Sequence, residues 1–161
     1  MGTSPTPDAT TGWREDTERS VRYRAPRSIR IEGSGAILEL VVDPALVHGQ
    51  QLASEHGDLL GLQWRLRGSG VLTQVAVVVE EADLVTFAAA IDRLVAGRAA
   101  EAVLEGRETP SSVLQLQAAS EGIAATLTML ACHPQLPGRF VLERLPLDDG
   151  ALMSIRNWAR G

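Results

Sequence analysis

The sequence predicts an α+β fold, mainly antiparallel sheet in hairpins or a meander, with one central amphipathic helix and a short C-terminal helix. Three observations carry that prediction. Period-two segments occur in two blocks on either side of a single strong 3.6-residue pattern over residues 80–95. The four strand candidates after that pattern are separated by breakers short enough for antiparallel neighbours. The order is strands, helix, strands, helix, rather than the strand–helix alternation of a doubly wound sheet.

Residues 1–28 open with Gly2, Thr3, Ser4, Pro5, Thr6 and Pro7 and hold few large apolar side chains, so they read as a disordered tail before a single domain over 29–161. Ile29 and Ile31, then Ile37 to Val42 after Gly33-Ser34-Gly35, give two short strands in a hairpin. Asp43-Pro44 ends them and offers an N-cap and first-turn proline for a short helix or ordered loop over 45–55.

Leu60, Leu62, Trp64 and Leu66 alternate with Gly61, Gln63, Arg65 and Arg67, as a half-buried antiparallel strand requires. Gly68-Ser69-Gly70 turns the chain into the β-branched run Val71–Val79, which reads as a more central strand. Leu84, Phe87, Ala88, Ile91, Leu94 and Val95 then share one helical face. Asp83 is the expected N-cap, Glu80 and Glu81 suit the positive end of the helix dipole, and Gly97 can supply a left-handed stop.

Four more strands are expected over Ala102–Gly106, Val113–Ala119, Ile123–Cys132 and Phe140–Leu145, wired as a meander through Thr109-Pro110, Glu121-Gly122 and Pro134 to Gly138. Asp148 or Asp149 can cap a last helix in which Leu152, Ile155 and Trp158 or Ala159 share a face. Trp64, Phe87, Phe140 and Trp158 all fall on apolar faces, so core packing is their expected role.

Composition narrows function. The chain has 161 residues, 45% hydrophobic and 22% charged, and net charge −5. All fifteen basic residues are arginine, a bias that reads as GC-rich coding rather than arginine chemistry. Residues 1–31 hold six Arg against four acids, whereas residues 32–161 hold nine Arg against sixteen acids. An acidic folded part argues against a nucleic-acid partner, which needs a concentrated basic face. One cysteine and no signal-peptide core over the first thirty residues point to a reducing, cytoplasmic setting, and no run is apolar for long enough to span a bilayer.

No catalytic, cofactor-binding or metal-binding residue is assigned. The two Gly-Ser-Gly turns lead into strands rather than a helix N-terminus, and there is no lysine, so they read as hairpin turns and not phosphate loops. They also hint at a duplicated hairpin. His48 and His56, with Asp43, Glu55 and Asp58 nearby, are the one local cluster of metal-ligand types, and they read as a solvated loop. If that stretch were helical, eight residues at 1.5 Å rise would separate the imidazoles by about 12 Å, too far to share an ion.

Cys132-His133 has the residue types of a thiol nucleophile and base. Neighbours on a strand point to opposite faces, so a buried structural cysteine is the expected state. Arg19, Arg22, Arg24 and Arg27, interleaved with Val21 and Tyr23, read as a solvated leader, with the start of an edge strand or a basic arm for a nucleic acid as the alternatives, and Trp13 reads as a tail residue or a docking anchor.

The segments "VVVEEADLVTFAAAIDRLVAG", "AEAVLEG" and "RFVLERLPLDDGALMSIRNWA" lie between Leu59 and Trp158. Together they give a pattern that resembles the WapI-type immunity family of polymorphic toxin systems. The resemblance implies a non-catalytic protein that binds and blocks a cognate toxin, and the acidic domain would then suit a basic toxin surface. A small-ligand-binding protein or enzyme, with a pocket near the 43–58 connector, is the alternative.

Overall fold

The computed structural model describes residues 27–33, 35–42, 59–68, 70–107, 111–131 and 138–161. It consists of two successive units with the same order, four antiparallel strands and then a helix. The first unit contains β1 (Arg27–Gly33), β2 (Ala36–Val42), β3 (Leu59–Gly68), β4 (Val71–Glu80) and α1 (Glu81–Val95). The second contains β5 (Glu101–Glu105), β6 (Val113–Ala119), β7 (Gly122–Ala131), β8 (Gly138–Leu147) and α2 (Asp149–Arg160). Each sheet is a meander in sequence order. The fold class is α+β.

Alternation decides which side of each sheet is core. In the first sheet Leu38, Leu40, Val42, Leu60, Leu62, Trp64, Val77 and Val79 are buried. The register sets Leu40 against Trp64 and Leu62 against Val77, so these residues line one face. In the second sheet Ala102, Leu104, Leu114, Leu116, Ala125, Leu127, Met129 and Leu145 do the same.

The helices join the two sheets by reciprocal packing. α1 rests mainly on β5 of the second unit, α2 rests mainly on β1 of the first, and the helices touch each other. The buried face of α1 is Leu84, Phe87, Ala88, Ile91 and Leu94, and that of α2 is Leu152, Ile155, Trp158 and Ala159. All of these belong to one apolar cluster that runs through both units. Asp92 of α1 pairs with Arg156 and, at 2.5 Å, with Arg160 of α2. Each unit buries one tryptophan, Trp64 or Trp158, whose indole N–H has no hydrogen-bond partner among the described residues.

The hairpin turns are as expected, with Gly35 at φ 75° and Gly70 at φ 78° in the left-handed region that glycine occupies without strain. Gly33 has a different role. A Cβ there would lie 2.9 Å from Leu145 Cδ1, so its lack of a side chain lets the end of β1 pass close to β8.

Three details correct the sequence reading. The N-cap of α1 is Glu80, not Asp83. Asp83 sits at the third helical position and its carboxylate accepts the Glu80 N–H at 2.8 Å, so it serves the same end from inside the helix. β4 is the last strand of its sheet rather than a central one. At its end the Val78 carbonyl accepts a hydrogen bond from the Arg107 N–H of the second unit at 2.8 Å. Finally, β1 starts at Arg27, within the stretch assigned to the tail.

Gly97 takes the expected left-handed conformation at φ 69°, and the Asp148 carboxylate caps α2 by accepting the Ala151 N–H at 2.6 Å. The connector over 43–58, the tail before Arg27 and the side chain of Phe140 lie outside the described residues.

Candidate functional site

β5 is a terminal strand, and its backbone groups divide by parity. The Ala118 N–H donates to the Ala100 carbonyl and the Gly106 N–H donates to the Ser112 carbonyl, so even-numbered residues face β6. Antiparallel geometry then turns the N–H and C=O groups of Glu101, Val103 and Glu105 toward the other edge, which no strand covers among the described residues. The next member of that set, the Arg107 N–H, is already taken by the Val78 carbonyl.

An open groove of about 590 Å³ runs along this edge, lined by Asp83 and Thr86 from α1, by Val103, Leu104, Glu105 and Gly106, and by Arg107 and Ser111. One wall is fixed by charge. Arg107 reaches back to the helix start and donates from Nε to Asp83 Oδ2 at 3.0 Å and from Nη2 to Asp83 Oδ1 at 2.9 Å. Its Nη2 also lies 3.2 Å from Glu80 Oε2. Partial burial pushes the Asp83 carboxyl up. The Arg107 hydrogen bonds, the Glu80 amide and the Arg107 charge outweigh that and hold it below the ordinary carboxylate value.

The same hydrogen bonds and the Asp83 charge raise Arg107 above its ordinary value. On the other wall the Ser111 hydroxyl donates to Glu105 at 2.6 Å. Arg107 answers Asp83 and Glu80, and Glu105 adds a further carboxylate on the opposite side. The groove is therefore acidic on balance, with Val103, 40% exposed, as an apolar contact point.

A second, smaller cleft of about 120 Å³ lies on the outer face of the first sheet, lined by Arg30, Ile37, Glu39, Arg65, Arg67 and Leu72. The register places Arg30, Glu39, Arg65 and Gln74 side by side across the four strands. Arg30 pairs with Glu32 at 2.8 Å, while Arg65 bonds Glu39 at 3.3 Å and Gln74 at 3.2 Å. These charges are answered within the sheet, which leaves the cleft less to offer a ligand.

Of the residues singled out from the sequence, Gly33, Gly35, Gly68 and Gly70 flank hairpin turns, and both turns lead into strands, as expected. Ser34, Ser69, the cluster of His48, His56, Asp43, Glu55 and Asp58, the pair Cys132-His133, and Trp13 lie outside the described residues. Among the described residues no three His, Cys, Asp or Glu side chains are placed to hold a metal ion. No described helix is long and apolar enough to cross a membrane.

Sequence reasoning found Asp83 only as a cap and did not reach Arg107 or Glu105. Asp83 and Arg107 are 24 residues apart in the chain, and only the packing of α1 on β5 brings them together. Comparison with family models, curated proteins and solved structures gave no match for this chain.

Proposed function

We propose that this protein is a non-catalytic binding module, and that the groove beside β5 takes an extended, basic segment of a partner protein. The observation that carries the reading is the groove itself, which combines a strand edge unpaired among the described residues, an acidic balance and one exposed valine. An extended peptide added to such an edge gains main-chain hydrogen bonds from the groups of Val103 and Glu105, and it places alternate side chains against Glu105 and Asp83. Basic side chains are favoured there by charge complementarity.

An immunity-type role, in which the partner is a basic toxin domain met in the cytoplasm, is the specific form suggested by the sequence resemblance. The acidic net charge supports it through steering. Neither a nucleic acid nor a membrane surface fits that charge.

The test is capture of a partner from native lysate by the immobilised full chain, by the chain lacking residues 1–26, and by Val103→Asp and Glu105→Arg variants. Full-length and truncated chains are expected to retain the same protein, and both groove variants to lose most of it. Retention of a metabolite with no protein in any arm would refute the reading and favour a ligand carrier.

A further inference from the structure

We infer that the outer face of the second sheet is a self-complementary surface that pairs with a second copy of this chain about a twofold axis parallel to its strands. This goes beyond the groove reading, because it concerns the sheet's broad face, although Val103 and Glu105 belong to both surfaces. The two central strands, β6 and β7, contain no charged residue, and they present Val113, Gln115, Thr126 and Thr128 at the middle of the outer face. Flanking them, Val103 of β5 and Val141 of β8 are each 40% exposed. An uncharged centre with charged margins is the anatomy of a contact surface, whereas a merely solvated sheet usually carries charge at its middle, as the first sheet does.

The margins differ in sign. The β5 margin carries Glu101 and Glu105, and the β8 margin carries Arg139 and Arg144, with Glu143 beside Arg144 at the bulge. Stacking two such faces about an axis along the strands puts β5 of one copy over β8 of the other and β6 over β7.

In that arrangement Glu105, which shares a row with Val113, Thr128 and Val141, lies one residue pair from the second copy's Arg139. Glu101, in the row of Gln117, Ala124 and Pro146, falls next to the second copy's Arg144. A twofold axis across the strands would instead set β5 on β5, acid against acid. Charge thus selects one of the two closed arrangements.

Four strands about 4.8 Å apart and roughly 25 Å long offer on the order of 500 Å² per copy. A pair would bury about 1,000 Å², at the low end for a specific interface, so the dimer is expected to be weak, with Kd in the micromolar range.

The experiment is sedimentation velocity of the full chain from about 1 to 200 µM, the range in which such a Kd is read. The wild type is expected to shift from monomer to dimer across it. Thr126→Arg at the centre, the pair Glu101→Arg and Glu105→Arg, and the pair Arg139→Glu and Arg144→Glu should each weaken association at least tenfold. Mixing the two charge-reversed proteins in equal amounts should restore dimers. That rescue cannot arise from misfolding, because each margin then meets its opposite again. A wild type that stays monomeric throughout, or a dimer that neither Thr126→Arg nor charge reversal weakens, would overturn the proposal. Because the readout is oligomeric state, and Thr126, Arg139 and Arg144 lie outside the groove, failure of this proposal is distinguishable from failure of partner capture.

Discussion

β3 and β7 hold the same place in their sheets: third of four, ten residues long, and one strand ahead of the strand that leads into a helix. On their inner faces they are near-equivalents, with Leu60, Leu62 and Trp64 in one and Ala125, Leu127 and Met129 in the other, all buried. On their outer faces they diverge. β3 carries Arg65 and Arg67, with Arg65 bonded to Glu39 and Gln74 on its neighbours, whereas β7 carries Thr126 and Thr128 and no charge. Folding of a ββββα unit constrains only the alternate residues that face the core. The other set is free to be solvated in one unit and to serve contact in the next.

The hardest blow to this comparison is a core truncation in each unit. Trp64→Ala removes a fully buried indole and is expected to cost about 3–5 kcal/mol, and Leu127→Ala about 2–5 kcal/mol, by urea unfolding followed by circular dichroism. Because one apolar cluster joins the units through the exchanged helices, both variants should lower a single cooperative transition. Two separate transitions would mean that the units are independent.

Next come the helix starts. Asp83→Asn should cost about 1–2 kcal/mol, since it weakens both the Glu80 N–H bond and the Arg107 pair; Asp148→Ala, which loses one cap bond, about 1 kcal/mol. Asp83 adds a pH signature. Its folded value lies below the ordinary one, so its contribution is present above the usual carboxylate range and is lost as pH falls through the depressed folded value. The stability gap between wild type and Asp83→Asn should therefore close in acid. A gap that persists there would assign the loss to packing.

The smallest effect is expected on the charged outer face. Glu39→Ala should change stability by under about 0.5 kcal/mol and by less still in high salt, because both partners of the Glu39–Arg65 pair are more than a third exposed.

Much of the architecture is legible in the sequence because it follows from short-range rules. All eight described strands overlap an expected one, and both helices bury the expected faces except for Val95, which is exposed at the last residue of α1, because periods of 2.0 and 3.6 residues are visible without tertiary knowledge. The errors come from longer range. β4 reads as central because its valines are continuous, yet it ends its sheet and satisfies the Val78 carbonyl through the other unit. Asp83 reads as a cap residue one turn too late because position 80 is a glutamate, a less usual N-cap.

The two Gly-Ser-Gly turns both lie in the first unit. They mark the β1–β2 and β3–β4 hairpins, so they report a repeat within one sheet rather than the repeat of the whole ββββα unit. The groove is less legible still. It joins the start of α1 to the end of β5, and the reciprocal helix packing that brings them together leaves no local pattern.

The central claim, that β5 offers its edge to a partner, is tested most directly by amide hydrogen exchange at Val103 and Glu105. In the free protein these two N–H groups face the open edge and should exchange at least tenfold faster than those of Ala102 and Leu104, which are bonded to β6. In complex with the captured protein they should slow to match them. Unchanged exchange at Val103 and Glu105, with protection appearing elsewhere on the chain, would contradict the account.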